Sequence, residues 1–111
     1  MQERFFLTCG LCLLIISTLH ADVRQGQKDF AKMCKACHNE GNHIATTKTQ
    51  AEWTLLMDNE AEALSRLHLS SSKAKDSWGF FNSEQRKKSA VYLKEFLLKY
   101  ASDSGNADVC G

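Results

Sequence analysis

The stretch Cys34-Lys35-Ala36-Cys37-His38 decides how the rest of the chain is interpreted. It places two thiols three positions apart, with an imidazole immediately after the second thiol. Such a C-x-x-C-H sequence is the attachment signature of a c-type haem, because each thiol can form a thioether to one vinyl group on the haem edge. The histidine is then held under the iron as its proximal ligand. The sequence therefore predicts one covalently bound haem, with thioethers at Cys34 and Cys37 and an iron ligand at His38.

Three other interpretations of the two cysteines are weaker. A thioredoxin-like redox pair belongs in a βαβ pattern, which does not surround this motif. A structural zinc site needs a second pair of ligands at matched spacing, and Cys110 with a distant histidine is a poor substitute. A plain disulfide is conceivable in an exported protein. Export, chain size and the adjacent histidine all agree with haem.

The N-terminal segment indicates export. Residues 5–16, FFLTCGLCLLII, are mostly apolar and are followed by small or polar residues that end in Ala21. This run is shorter than the roughly 20 apolar residues of a membrane-spanning helix and is typical of a signal peptide. We interpret residues 1–21 as a signal peptide and expect the mature domain, residues 22–111, in the periplasm. An uncleaved anchor facing the periplasm is the alternative.

The composition of the chain favours one small helical domain. It has 111 residues, a net charge of +1, six glycines and no proline. This length fits one core, and the charge is too low for the positive field that nucleic-acid binding usually needs. The lack of proline argues against an all-β fold built on tight turns. Of the five cysteines, Cys110 is left over after the leader and the motif, as a free thiol or a pair between chains.

Three helices are predicted in the mature chain. The first runs from about Val23 to Lys35, and the second begins at the capping box Thr49-Gln50-Ala51-Glu52, with a division predicted at Asp58-Asn59. The third runs from Asn82 or Ser83 to about Tyr100. Residues 39–48 and 69–81 are predicted as loops, and the polar tail 102–111 as loosely attached. Apolar residues at helical spacing define the buried faces of the last two helices: Trp53, Leu56, Met57, Leu64, Leu67 and His68 on one, and Ala90, Leu93, Phe96, Leu97 and Tyr100 on the other.

The chain resembles the monohaem class I c-type cytochromes. Gly26 and Phe30 lie eight and four residues before Cys34, as a glycine and an aromatic residue do in the N-terminal helix of that family. The pair Tyr92-Leu93 is similar to the aromatic–leucine pair of the family's last helix. The middle of the chain matches only as a helix and a loop.

This resemblance implies a fold and a function. The fold would be all-α, with N- and C-terminal helices that cross over one haem, and residues 22–111 would form the cytochrome c domain. The function would be electron transport between redox partner proteins outside the cytoplasmic membrane, without enzymatic activity. No nucleic-acid partner is expected, and no stable membrane insertion after cleavage of the signal peptide.

The sixth iron ligand departs from the family pattern. The family usually supplies a methionine from the loop before the last helix, but residues 69–82 contain neither methionine nor histidine. His68, on an apolar helical face at the edge of this loop, is the first candidate distal ligand, and capping of the helix end is its alternative role. Met57 is the second candidate, with core packing as its alternative. An open sixth position would instead make the chain a haem protein that binds or senses a small gas or peroxide.

Other residues near the motif have lesser roles in this interpretation. His43 is expected to be too close to His38 in sequence to reach the other haem face, and Met33 is expected to point away from the iron. Lys73 and Lys75 would have to lose a proton to bind iron, which is costly at neutral pH. The aromatic residues of the second loop are expected to cover the haem edge: Trp78, Phe80 and Phe81.

Overall fold

The computed structural model describes residues 22–39 and 41–106, and all regular structure in these ranges is helical. This confirms the all-α prediction. The predicted signal peptide and Cys110 lie outside the described residues. No helix in the described ranges is long and apolar enough to cross a membrane. In chain order the elements are α1 (Val23–Met33), α2 (Lys35–His38), α3 (Gly41–Ala45), α4 (Gln50–Leu69), a 3₁₀ helix (Ser72–Ser77), α5 (Trp78–Phe81) and α6 (Glu84–Lys99).

Helices α1 and α6 pack against each other along their apolar faces. The rings of Phe30 on α1 and Phe96 on α6 have centroids 6.0 Å apart. Gly26 lies where the two backbones come closest. A Cβ atom at this position would clash with the Tyr92 carbonyl oxygen and would lie 2.7 Å from the Cβ of Phe96. The absence of a side chain at Gly26 therefore lets α1 approach α6 closely.

The first helix ends earlier than predicted. The backbone of Cys34 has φ −123° and ψ −28°, so α1 stops at Met33, and α2 begins at Lys35. The amide of Cys34 still donates to the Phe30 carbonyl at 2.8 Å, which closes the last turn of α1. Because of this break, the side chains after Cys34 point in directions different from those that a continuous helix to Lys35 would give them.

Helix α4 begins at the predicted capping box. The Glu52 amide donates to Thr49 Oγ1 at 3.2 Å, and the Thr49 amide donates to the Glu52 carboxylate at 3.1 Å. These reciprocal bonds satisfy amides that a helix N-terminus leaves without a helical partner. Hydrogen bonding from the amide and the side chain of Thr49 to the carboxylate also lowers the pKa of Glu52, because it favours the charged form.

Helix α4 is interrupted where its division was predicted. Asn59, Glu60 and Ala61 have φ values of 54°, 58° and 60°, in the left-handed region. The Asn59 side chain donates to the Glu62 carboxylate. Left-handed backbone is unfavourable for residues with a Cβ atom. A 2.8 Å ion pair between Lys94 and Asp58 ties this turn to α6.

The predicted loops at 39–48 and 69–81 are wrong in part, because both contain short helices. These segments are too short and too polar to show helical periodicity in the sequence. Their turns are closed by side chains instead: Ser77 Oγ donates to the Ala74 carbonyl at 2.6 Å, and Thr47 Oγ1 donates to the Ile44 carbonyl at 2.6 Å. Such local bonds replace the long hydrophobic face that marks an ordinary helix.

The start of the polar tail is attached to the domain, and the prediction of a loose tail is wrong there. The amide of Ser102 donates to the Lys48 carbonyl at 2.9 Å, and the Asp103 carboxylate accepts from the Gln50 amide at 2.8 Å. Ala101 is fully buried. An acidic side chain at the first turn of α4 satisfies a free amide there, which composition alone does not reveal.

The core lies between α1, α4 and α6. Trp53 is held within it by a hydrogen bond of 2.8 Å from its indole Nε1 to the Ala45 carbonyl. Leu67, predicted on the buried face of α4, is 58% exposed. Leu67 nevertheless lies on the predicted face, because it lines a cavity together with Met57 and His68. The buried apolar residues are Phe30, Ala45, Trp53, Met57, Ala61, Phe81, Ala90, Leu93, Phe96, Leu97 and Ala101.

We predict that Gly26→Ala destabilises the protein and that Gly79→Ala does not. A methyl group at Gly26 must push α1 away from α6, which we expect to lower the free energy of unfolding by about 1–3 kcal/mol. A methyl group at Gly79 meets no atom within 4 Å, so this variant should be neutral or slightly more stable. Denaturant unfolding of both variants measures the difference, and equal midpoints would contradict the close approach at Gly26.

Candidate haem site

A single helical turn carries the two thiols and the first imidazole. The His38 amide donates to the Cys34 carbonyl at 3.0 Å, and the Cys37 amide donates to the same oxygen at 3.1 Å. Asn39, with φ 58°, ends α2 directly afterwards. Cys34 is half-buried and Cys37 is exposed, and neither forms a disulfide. The motif therefore begins at the core and ends at the surface.

Two cavities lie beside this turn and share part of their walls. The first, which we call the apolar cavity, has a volume of about 220 Å³ and is lined largely by core side chains such as Trp53, Met57 and Leu93. The second, the mixed cavity, has a volume of about 200 Å³ and is lined also by serines and a lysine. Four residues line both cavities, so the two lie side by side around the motif: Cys34, His38, His68 and Phe81.

His38 and His68 face each other across this region. Their ring centroids are 6.0 Å apart, and the ring planes make an angle of 74°. Two imidazoles that bind one metal ion from opposite sides, each with a metal–nitrogen distance of about 2 Å, have ring centroids about 6 Å apart. The separation of His38 and His68 therefore matches the spacing of a pair of axial ligands.

His68 is held by contacts to three neighbours, two through its side chain and one through its backbone. Its Nδ1 lies 2.8 Å from the Leu64 carbonyl, and because a carbonyl only accepts, Nδ1 is the donor. The ring stacks on Phe81 with centroids 4.2 Å apart and an angle of 25°. The indole Nε1 of Trp78 donates to the His68 carbonyl at 2.8 Å. A neutral His68 thus presents Nε2 with its lone pair, as metal-binding histidines do when the other nitrogen donates to a carbonyl.

The electrostatics of the site favour neutral groups. Burial lowers the pKa of His38, and the proximity of His68 lowers it further. A neutral imidazole is the form that binds iron. Burial also raises the pKa of the Cys34 thiol to about 12, with smaller contributions from Asp29 and Cys37. Thiols of redox-active C-x-x-C pairs have a lowered pKa instead, so this environment does not favour a dithiol oxidoreductase.

The other predicted ligand residues occupy different positions. Met57 is 2% exposed and lines the apolar cavity within the hydrophobic core. His43 is exposed on α3. Met33 lines the mixed cavity at the end of α1, and its orientation relative to an iron stays a prediction. Lys73 lines the same cavity.

Two aromatic residues contribute more than the sequence indicated. Trp78 and Phe81 were predicted only as a cover for the haem edge, whereas both contact His68 directly. The short helix α5 places them there, and nothing in the sequence marks this helix by periodicity. Among residues 22–39 and 41–106, no three His, Cys, Asp or Glu side chains come together as a metal site. A haem needs only two axial ligands from the protein, since the porphyrin nitrogens provide the others.

We predict that the two thiols differ strongly in reactivity in protein made without haem attachment. At pH 8 a thiol with a pKa of about 12 is ionised in about one molecule in ten thousand, so Cys34 should be alkylated very slowly. The exposed Cys37 should react at least about tenfold faster, because it meets the reagent without unfolding. Iodoacetamide labelling followed by peptide mass spectrometry compares them. Equal rates in folded protein, with denatured protein as the control, would contradict the burial of Cys34.

Comparison with known proteins adds no relative. No family model matches the chain, and no curated protein or solved structure shows significant similarity to it. The function is therefore argued from the geometry of the site.

Proposed function

We propose that this protein is an exported monohaem c-type cytochrome that carries electrons between redox partner proteins outside the cytoplasmic membrane. It is not an enzyme in this proposal. The observation that carries it is the facing pair His38 and His68, 6.0 Å apart, directly beside the thiols of Cys34 and Cys37. His38 belongs to the sequence motif, whereas His68 lies thirty residues later and is brought beside it by the fold.

The residues of the site fit a covalently bound haem. Cys34 and Cys37 would hold the haem edge, and His38 and His68 would occupy the two axial positions. When bound, the haem supplies an iron that cycles between its ferrous and ferric states. With both axial positions filled by protein, no site is left open for a small ligand. This favours electron transfer over the binding of a gas or peroxide.

The walls of the two cavities support the same proposal. The apolar cavity offers aliphatic and aromatic surface that suits a porphyrin ring and excludes water from the iron. The charged side chains other than histidine that line the cavities are basic, Lys48 in one and Lys73 in the other. Their charge is opposite to that of the haem carboxylates. Both lysines would therefore favour binding of a haem by electrostatic attraction.

We also propose a fold more specific than the all-α class. This is the class I arrangement, in which the first and last helices cross beside the haem. The close approach of α1 and α6 at Gly26 and the contact of Phe30 with Phe96 support it. The interpretation of residues 1–21 as a signal peptide supports a periplasmic location. This location suits both covalent haem attachment and a soluble electron carrier.

We predict that the mature protein contains one haem bound through two thioethers. Mass spectrometry of the exported protein should show one added haem that resists extraction by acidified acetone. Cys34→Ala and Cys37→Ala should each lose one thioether and much of the holoprotein. Extractable haem, or protein without haem after co-expression with a haem-attachment system, would contradict the proposal.

We predict that His68, and not Met57, is the distal ligand. His68→Ala should convert the oxidised haem from low-spin to high-spin and allow the reduced form to bind carbon monoxide. Met57→Leu keeps the volume of the buried side chain and should leave the spectrum low-spin. Because methionine ligation raises the potential, the wild type should have a lower potential than a His/Met cytochrome of similar haem exposure.

Three outcomes separate the alternatives. Loss of the low-spin state in Met57→Leu alone would assign the ligand to Met57. A wild type that is already high-spin and binds carbon monoxide would indicate an open distal site and a ligand-binding or sensing function. A low-spin wild type that changes only with His68→Ala is the result that the facing histidines predict.

A further inference from the structure

Arg86 links the first turn of α6 to both elements that hold His68. Its Nη1 donates to Ser65 Oγ on α4 at 3.0 Å and to the carbonyl of Phe81, at the end of α5, at 3.1 Å. One nitrogen of the guanidinium therefore joins three helices. Arg86 lines neither of the two cavities.

Both contacts of Arg86 lead to the distal histidine. The Phe81 ring stacks on His68, so fixing the Phe81 backbone fixes the surface against which the imidazole lies. Ser65 lies one helical turn before His68, is 2% exposed, and donates to the Ala61 carbonyl at 2.8 Å. Ala61 is the last residue of the left-handed turn that sets the direction of the second half of α4. Arg86 thus joins the stacking partner of His68 to the helix that carries it.

The charge of Arg86 is not balanced by a nearby carboxylate in the described part of the chain. Its Nε is buried without a hydrogen-bond partner, and no ion pair of Arg86 is found among the described residues. A guanidinium stays protonated in proteins. A positive charge in a medium of low dielectric constant acts on its surroundings more strongly than a charge in water. The half-buried Arg86 therefore places a positive charge against Ser65 and Phe81, the neighbours through which it reaches His68.

We propose that Arg86 is a positioning residue for His68, and that its charge raises the reduction potential of the haem. This inference rests on the proposed function. The hydrogen bonds to Ser65 and Phe81 keep the imidazole plane in one orientation. The positive charge disfavours ferric iron, which carries one more unit of positive charge than ferrous iron. Arg86 touches neither the haem nor a substrate and acts through these neighbours.

The test compares four variants of the haem-loaded protein by potentiometry and by electron paramagnetic resonance of the oxidised form. Arg86→Gln removes the charge. Arg86→Lys keeps the charge but removes the planar guanidinium, and Ser65→Ala removes one hydrogen bond of Arg86 but keeps its charge. Lys87→Gln is the matched control, because it removes the same charge from the next position, where the side chain is 45% exposed. Exposed charges are screened by solvent and salt.

The expected results distinguish the positioning role of Arg86 from the effect of its charge on the reduction potential. Arg86→Gln should lower the potential by more than Lys87→Gln does, and Arg86→Lys should restore most of that loss. Arg86→Lys and Ser65→Ala should both change the low-spin resonance pattern, which depends on the orientation of the axial imidazoles, while the haem stays six-coordinate. If Arg86→Gln yields no holoprotein, the resonance patterns of the other two variants decide the positioning role.

The inference can fail without the proposed function. A low-spin wild type in which Arg86→Gln shifts the potential no more than Lys87→Gln would overturn the role of the charge. Unchanged resonance patterns in Arg86→Lys and Ser65→Ala would overturn the positioning role. A wild type without covalent haem, or with high-spin iron, would overturn the proposed function itself, and the role of Arg86 with it.

Discussion

The arrangement of the site depends on one close approach, that of the His68 ring to the His38 ring beside the two thiols. The first imidazole is placed by one helical turn of a local sequence motif. The second comes from another helix, so its position requires the whole fold. Helices α1 and α6 pack at Gly26, α4 packs against α6, and α5 brings Phe81 against the His68 ring. The hydrogen bond to the Leu64 carbonyl then fixes which nitrogen is left for a metal.

The unusual backbone of α4 has a place in this arrangement. Three left-handed residues, Asn59 to Ala61, cost free energy that an uninterrupted helix would not require. They precede the half of α4 that carries Leu67 and His68. Leu67 is 58% exposed and lines the apolar cavity, whereas His68 is half-buried and lines both cavities. The 2.8 Å ion pair of Lys94 with Asp58 and the burial of Ala61 stabilise the turn against this cost. Strained backbone near a candidate site is a common way in which a fold directs a side chain.

The sequence was sufficient for the parts of the molecule that are encoded locally. The capping box at Thr49, the division of α4 at Asp58-Asn59 and the buried stripe of α6 follow from spacing and residue type. The motif thiols and His38 are also local, since one turn of helix contains them. For the same reason the all-α class was predictable from periodicity and the absence of proline.

The remaining features depend on contacts between distant residues. The tail is held by Asp103 at the N-terminus of α4, and the hydrogen bonds of Arg86 reach residues 21 and 5 positions away. Each of these hydrogen bonds is formed by a single polar side chain. Such bonds therefore cannot be predicted from the pattern of hydrophobic residues. The choice between His68 and Met57 stays a prediction. Both residues line the apolar cavity, and the structure adds that His68 stacks on Phe81 of α5 and lies 6.0 Å from the His38 ring.

The most direct test of the central claim is nuclear magnetic resonance of the oxidised protein with ¹⁵N-labelled histidine. If His38 and His68 bind one iron, the ring nitrogens of both should show large hyperfine shifts and broadening. His43, exposed on α3, should keep ordinary imidazole signals and serves as the internal control. Hyperfine-shifted nitrogens from His38 alone, with ordinary signals from His68, would contradict the account.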